Sequence, residues 1–449
     1  MNMENFDVIV VGSGTSAYYV VSGVIKDKAL RVAIIDERPY GGTCALRGCQ
    51  PKKYLVSNAE VVASVSHLLG RGIEGQAKTD WAALQELKNA FLEGRSEADQ
   101  AHWEKSGVTT FNGKARMIAD DQIEVGGQTI KGRKIVLATG ALPNALSIEG
   151  AEHVRDSEYF LDMQSLPERV LFVGGGFISF EFAHVAIRAG ASKVQIMHRS
   201  AQPLKAFDSD MVDTLLKAST AAGIDVLLGE SPERIVHTET GYEVYSSTGA
   251  VYEVDLVIEA TGRHPNLSVL DGDLGNVEHS RKGIVVNEYM QSVSNPQVYA
   301  VGDCVDTPYM LAPVADKEGQ VAASNILHGN SSVVDYGVIP SAVFSIPALA
   351  SVGLTETAAR KEGRDFRVNN GDTTGWPSSK RIGEEFGTYK VLIDNESDLI
   401  LGAHIVRHNA AEVINVFGLA MKFNIRASDL ADFLWAYPTY TSDLKYMVK

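Results

Sequence analysis

Apolar residues along this chain fall into two rhythms, short unbroken runs and helical spacing, and the two alternate. Phe6-Asp7-Val8-Ile9-Val10-Val11 is a run of the length and β-branched content of a buried strand. A small-residue turn, Gly12-Ser13-Gly14-Thr15-Ser16-Ala17, follows it, and Val20, Val21 and Val24 then recur at helical spacing before Arg31-Val32-Ala33-Ile34-Ile35-Asp36 returns to strand. Strand, turn, helix and strand in that order predict a βαβ unit with a parallel sheet. The same succession reappears at Arg169-Val170-Leu171-Phe172-Val173, with Gly174-Gly175-Gly176-Phe177-Ile178-Ser179, a helix carrying Glu181, and Lys193-Val194-Gln195-Ile196-Met197. Two further strand-like runs end alike, in Ala138-Thr139-Gly140 and in Ala260-Thr261-Gly262. Each lies after one of the βαβ units and is placed to return the chain from one domain to the next. Late in the chain a hairpin is predicted from Gly387–Asp394, the turn Asn395–Asp398 and Leu399–Val406, with an amphipathic helix beyond it through Ile414, Phe417 and Met421.

The turns carry chemistry. Gly12 permits a tight turn, Gly14 lets the backbone approach a pyrophosphate, and Ala17 allows close helix packing, while the helix N-terminus faces the phosphates. Asp36, ending the second strand, is placed to accept from ribose hydroxyls. The second copy ends differently, in His198-Arg199 with Lys205 nearby, and no carboxylate stands there. Positive charge at that position suits a 2′-phosphate, so the second site is expected to prefer NADP(H) over NAD(H). Ser179 replaces the usual Gly or Ala of the third fingerprint position, and its small side chain still allows close approach. Asp303, after Gln297-Val298-Tyr299-Ala300-Val301-Gly302, suits a polyol or ribityl chain, and Cys304 beside it reads as buried packing.

Cysteine usage sharpens this picture. The chain has 449 residues and only three cysteines, too few for a disulfide framework, yet Cys44 and Cys49 lie just behind the first fingerprint with four residues between them. A helix N-terminus with Lys52 and Lys53 nearby would stabilise thiolates there. A net charge of −15 argues against a nucleic-acid partner. The start lacks the basic and apolar regions of a secretory signal, and no apolar run approaches a membrane span, so a cytoplasmic protein is expected.

Taken together, GGTCALRGCQPKK, the two fingerprints, both ATG segments, GDC with Leu311-Ala312-Pro313-Val314-Ala315, and Val343-Phe344-Ser345-Ile346-Pro347 resemble the FAD-dependent pyridine nucleotide–disulfide oxidoreductases over nearly the whole length. That group includes glutathione reductase, dihydrolipoamide dehydrogenase and mercuric reductase. The resemblance implies an α/β protein with two Rossmann-like dinucleotide-binding domains plus a C-terminal α+β dimerisation domain. The implied segments are 1–150 for FAD binding, 151–265 for NAD(P)H binding, 266–338 as a central part of the FAD domain, and 339–449 for dimerisation. It places Gly12, Gly14, Ala17, Asp36, Thr43, Lys52, Thr139, Gly140, Asp303 and Ala312 at the FAD site. Gly174, Gly176, Phe177, Ile178, His198, Arg199, Lys205 and Gly262 fall at the NADPH site. Cys49 takes the place of the sulfur that contacts the flavin and Cys44 that of the interchange thiol. Lys52 and Glu181 correspond to the family's ion pair beside the flavin, and Phe177 to an aromatic gate over the nicotinamide.

The resemblance breaks near the end. Glutathione reductase and dihydrolipoamide dehydrogenase carry His-Pro there, with Glu five residues after the His, and this chain has Tyr437-Pro438 with Ser442 at the Glu position. A phenol with an ordinary pKa near about 10 is a poor base at neutral pH but can donate a proton or hydrogen bond. Mercuric reductase shares the Tyr but adds a C-terminal cysteine pair that is missing here, and Ser22 stands where glutathione reductase supplies an Arg to its substrate. The expectation is an enzyme, a homodimer, that passes electrons from NADPH through FAD and Cys44–Cys49 to a small disulfide or related acceptor. Reduction of metal ions or other small acceptors is the alternative, and a redox-sensing flavoprotein with little turnover is a third reading.

Overall fold

The structure is a computed structural model and describes residues 3–449. The chain divides into two compact units, one of residues 1–53, 86–144 and 263–336, the other of 54–85, 145–262 and 337–449.

The first unit is built on the first βαβ motif. Strand β1 (Glu4–Val11), helix α1 (Thr15–Val24) and β2 (Val32–Asp36) follow one another as the periodicity predicts. Next come a short helix α2 (Gly42–Leu46), the start of a long helix α3 (Cys49–Leu68) whose residues from 54 on belong to the second unit, and strands β3 (Thr109–Asn112), β4 (Ala115–Ala119), β5 (Gln122–Val125) and β6 (Gln128–Leu137). The sheet order is β3-β2-β1-β6-β5-β4, and the strand Val298–Ala300 also pairs in parallel with β6. Its central strands are parallel and buried on both faces, which is why they read as continuous Val and Ile rather than as alternation. Helix α1 lies against the helix Ala312–His328, and small residues let the two backbones approach: a Cβ on Gly23 would fall 2.4 Å from the Ala323 methyl.

The second unit holds a parallel sheet of Ile224–Leu228, Lys193–His198, Arg169–Val173 and Leu256–Glu259, in that order, beside an antiparallel three-stranded sheet, Pro232–Thr238, Gly241–Ser246 and Val251–Val254. It also holds a five-stranded antiparallel sheet that includes the predicted hairpin, with Thr388–Asp394 against Ile400–Arg407 and Thr388 opposite Val406. The helix Ala410–Lys422 covers that sheet, burying Val413, Ile414 and Phe417 against it. No helix among the described residues is long and apolar enough to cross a membrane.

Candidate functional site

The two fingerprint turns are near copies in atomic detail. Gly12 sits at φ +107° and Gly174 at φ +126°, a region that favours glycine. In addition, a Cβ on either would fall 2.2 Å from a carbonyl oxygen, that of Ala138 for Gly12 and that of Ala260 for Gly174. The Gly12 N–H donates to Ile35 O at 2.7 Å and the Gly174 N–H to Met197 O at 2.8 Å, while Ala138 N–H and Ala260 N–H return to Val11 O (2.8 Å) and Val173 O (2.7 Å). Each fingerprint glycine is thus pinned between the second strand of its βαβ unit and its Ala-Thr-Gly segment. Each turn leaves a cradle at a helix N-terminus that only a side-chain-free backbone can form, which fits the pyrophosphate of a dinucleotide.

In the first unit the cradle extends to the cysteine segment. Gly42, at φ +71°, touches Gly14, since its Cβ would lie 2.3 Å from the Gly14 Cα. Ser13 is clamped between them and β2, donating from N (2.8 Å) and Oγ (2.6 Å) to Asp36 and accepting from Gly41 N–H at 3.1 Å. Asp36 also takes the Arg38 N–H at 2.8 Å, and a carboxylate so engaged keeps lone pairs for a ribose. Ala17 is fully buried in the α1 packing, Thr43 is exposed on α2, and Thr139 Oγ1 donates to Asn266 O at 2.6 Å beside Gly140, whose carbonyl takes the Asn266 N–H at 2.8 Å. Ala312 opens the 17-residue helix that packs on α1. Burial raises the Asp303 pKa above the ordinary carboxylate range and neighbouring Arg263 draws it back. Buried Glu318 holds the same turn by accepting from Gly302 N at 2.7 Å and Tyr336 Oη at 2.8 Å. Cys304 is fully buried, its thiol pushed by burial up to about 11, as a packing residue should be.

Cys44 and Cys49 are both thiols here and hydrogen-bonded to each other. Cys44 is half-buried on α2, and Cys49 is the exposed first residue of the 20-residue α3. That bond, then burial, then the neighbouring Cys49 and Asp316 charges push the Cys44 thiol far above its ordinary pKa. Cys49 stands at the α3 N-terminus, where the helix dipole favours a thiolate. Lys52 is half-buried one turn further along α3. Thr15 Oγ1 donates to Asp316, a half-buried carboxyl whose pKa burial raises. Thr15, Asp316, Arg263 and Glu318 were not singled out from sequence. Only Thr15, a hydroxyl inside the fingerprint, gave a signal.

In the second unit Gly176 caps the helix Phe177–Ala189, with Phe177 49% exposed, Ile178 half-buried and Ser179 fully buried, as its small size allows. Glu181 is enclosed and accepts from Phe344 N at 2.9 Å. Exposed Gly262 follows the Ala260 contact at φ +123°. The basic loop departs from expectation in one respect: burial, and then the nearby Lys205 and Arg199 charges, lower the His198 pKa against the pull of its bond to Gln202 O. A Cβ on Gly175 would come within 2.5 Å of its ring. At neutral pH His198 therefore contributes shape, and the positive charge comes from exposed Arg199 and Lys205.

Tyr437 is 71% exposed, with Lys445 Nζ 5.7 Å from its ring. The segment that bears it is tied down by Asp443, which accepts from Ser378 Oγ at 2.5 Å and lies 3.0 Å from Arg407 Nη1. The Arg407 guanidinium is fully buried between Trp376 (5.5 Å) and Tyr440 (5.2 Å). Ser442 is buried and turned back onto Thr439 O at 2.6 Å.

Comparison with known proteins agrees with this geometry. Residues 6–319 match the pyridine nucleotide-disulphide oxidoreductase family and residues 339–448 its dimerisation domain. The chain is 31% identical to a glutathione reductase of Burkholderia cepacia, over 99% of this chain and 98% of that one. It is 30% identical to a mercuric reductase of Lysinibacillus sphaericus, over 99% of this chain and 82% of that one. The Cu(II) complex of the HOCl-induced flavoprotein disulfide reductase RclA from Escherichia coli superposes with a TM-score of 0.89 at 26% identity, covering 100% of this chain and 99% of that one.

Proposed function

The chain belongs to the pyridine nucleotide-disulphide oxidoreductase family, and from that premise we propose that it carries electrons from NADPH to a small disulfide or related sulfur-reactive acceptor, as a cytoplasmic homodimer. It is an FAD-dependent disulfide reductase of that family. The observation that carries the reading is the Cys44–Cys49 pair, with Cys49 at a helix N-terminus, Cys44 hydrogen-bonded to it, and Gly42 of the same segment in contact with the Gly14 turn. FAD, when bound, supplies the two-electron chemistry that links hydride to thiols. Gly12, Gly14, Asp36 and the Ala312 helix N-terminus would hold it, with Asp303 on its polyol chain, Thr43, Thr139 and Gly140 at its edge and Lys52 adding positive charge.

In the reductive half the Cys44–Cys49 disulfide takes two electrons and two protons and opens to the dithiol. In the oxidative half Cys44, once deprotonated, attacks one sulfur of the acceptor and releases the other as a thiol. Cys49 then attacks Cys44, re-forming the internal disulfide and expelling the second thiol. A metal-ion acceptor is the second reading, favoured by the exposed phenol of Tyr437 and by the mercuric reductase and Cu(II)-bound relatives. The test is anaerobic reduction by NADPH followed by rapid mixing with low-molecular-weight disulfides, Cu(II), Hg(II) and quinones. Fast reoxidation by disulfides supports the first reading and by the metals the second, while reoxidation by quinones alone removes both.

Two side-chain assignments are checked in the same apparatus. Replacing Arg199 and Lys205 together by Ala should raise the Michaelis constant for NADPH about 100-fold and leave that for NADH unchanged, since two charge-assisted contacts to a 2′-phosphate are lost. Equal use of NADPH and NADH by the unaltered enzyme would contradict the assignment. Tyr437→Phe should slow reoxidation by the acceptor about 10–100-fold while NADPH still reduces the enzyme at the normal rate. Two unchanged half-reactions would reduce Tyr437 to packing.

A further inference from the structure

The loop that carries Arg199 and Lys205 is held at three points, the last of them by a buried ion-pair cluster. At its start His198 fits under Gly175, the middle glycine of the second fingerprint. Midway, Leu204 is buried and donates its N–H to the Gly175 carbonyl at 2.8 Å, adopting φ +48°, a conformation a branched side chain keeps only when its surroundings impose it. At its end Asp208 caps the helix Ser209–Ala221 by accepting from Asp210 N at 3.2 Å. The Asp208 carboxylate lies 3.0 Å from Lys390 Nζ, and both side chains are only 3% exposed. Lys390 Nζ also meets Asp210 at 2.6 Å and Glu356 at 2.9 Å. Lys390 stands on the strand Thr388–Asp394 of the five-stranded sheet, and Glu356 opens the helix Glu356–Lys361, where Arg360 bonds it at 2.6 Å.

A lysine bonded to three carboxylates and closed off from solvent cannot reach a cofactor. It can fix where the loop ends. Only two residues, Ala206 and Phe207, separate Lys205 from Asp208, and a backbone hydrogen bond from Phe207 N to Leu204 O at 2.9 Å tightens the chain there. We propose that Lys390 is a positioning residue for cofactor discrimination: through Asp208 it holds the 204–208 segment against the fingerprint turn, so that Lys205 and Arg199 face the adenosine ribose. The inference rests on the NADPH reading above. It adds that the preference is set partly by the C-terminal sheet, through a residue 185 positions beyond Lys205 in the chain.

The test uses the FAD-loaded enzyme and calorimetric binding of 2′,5′-ADP and of 5′-AMP, which differ by the 2′-phosphate. Asp208→Asn retains a good helix cap and discards the charge. It should weaken 2′,5′-ADP about 10-fold and leave 5′-AMP unchanged, with the NADPH Michaelis constant rising and kcat preserved. Lys390→Met should behave alike and Lys390→Arg should keep most of the 2′,5′-ADP affinity. Should Lys390→Met not fold, the double variant Lys390→Met/Asp208→Leu, which replaces the buried pair by apolar groups, supplies the same reading. If these variants bind 2′,5′-ADP like the unaltered enzyme while the Arg199/Lys205 variant does not, the positioning role is wrong and the NADPH reading stands. If the unaltered enzyme binds 2′,5′-ADP no better than 5′-AMP, the NADPH reading itself fails.

Discussion

The Cys44→Ser enzyme should show a long-wavelength charge-transfer band without any reductant, and should lose about 10³-fold or more of its acceptor-reducing activity. The band follows from the role proposed for Cys49, that of the sulfur which would contact the flavin. Cys49 starts a 20-residue helix, whose N-terminus favours the thiolate, and with Cys44 gone it can no longer be consumed in a disulfide. The activity loss follows because serine cannot form the mixed disulfide through which electrons leave. Reduction by NADPH should survive, since nothing in the second fingerprint has changed. Cys49→Ser should lose as much activity and show no band, so the absorption spectra of the two variants separate their roles. A Cys44→Ser protein that binds FAD but lacks the band would exchange or dissolve these assignments.

Arg407→Met should cost the fold about 3–5 kcal/mol, because it strands a buried carboxylate. Asp443 is 7% exposed, and the substitution removes the cation 3.0 Å from it, leaving Ser378 Oγ as its hydrogen-bond donor. The same change removes a cation held between Trp376 and Tyr440, so the packing of the aromatic segment loosens as well. The urea midpoint of unfolding measures the loss. Arg407→Met/Asp443→Leu should recover most of it, since an apolar pair needs no partner. If the single variant is as stable as the unaltered protein, the network does not anchor the C-terminal segment. If it is destabilised and the double variant recovers stability but not the Tyr437-dependent half-reaction, the network serves positioning as well as stability.

Much of the dinucleotide machinery could be read from neighbours along the chain. Gly12 and Gly174 could be recognised because a strand, a tight turn and a helix follow one another within a few residues, and local sterics demand glycine where φ is positive and a carbonyl lies 2.2 Å from any Cβ. The hairpin and the helix behind it were legible for the same reason, through alternation and helical spacing. The cysteine pair declared itself by spacing and by its place behind a fingerprint. Asp36 did so by ending a strand, although the Ser13 side chain that grips it did not.

Desolvation and long-range pairing were a matter for the tertiary structure. Beside Arg199 and Lys205 in the sequence, His198 reads as a charge; its partial burial against Gly175, which lowers its pKa, depends on how two segments 23 residues apart pack. The Thr15–Asp316 bond, the Arg407–Asp443 pair and the Lys390–Asp208 pair join residues separated by 301, 36 and 182 positions. A titratable side chain has the same letter whether water or a carboxylate surrounds it, and its charge and partner are decided only when distant elements close around it. Local backbone geometry is encoded by adjacent residues, and so this chain shows where nucleotides fit in its sequence and what holds the surrounding charges in place only in its fold.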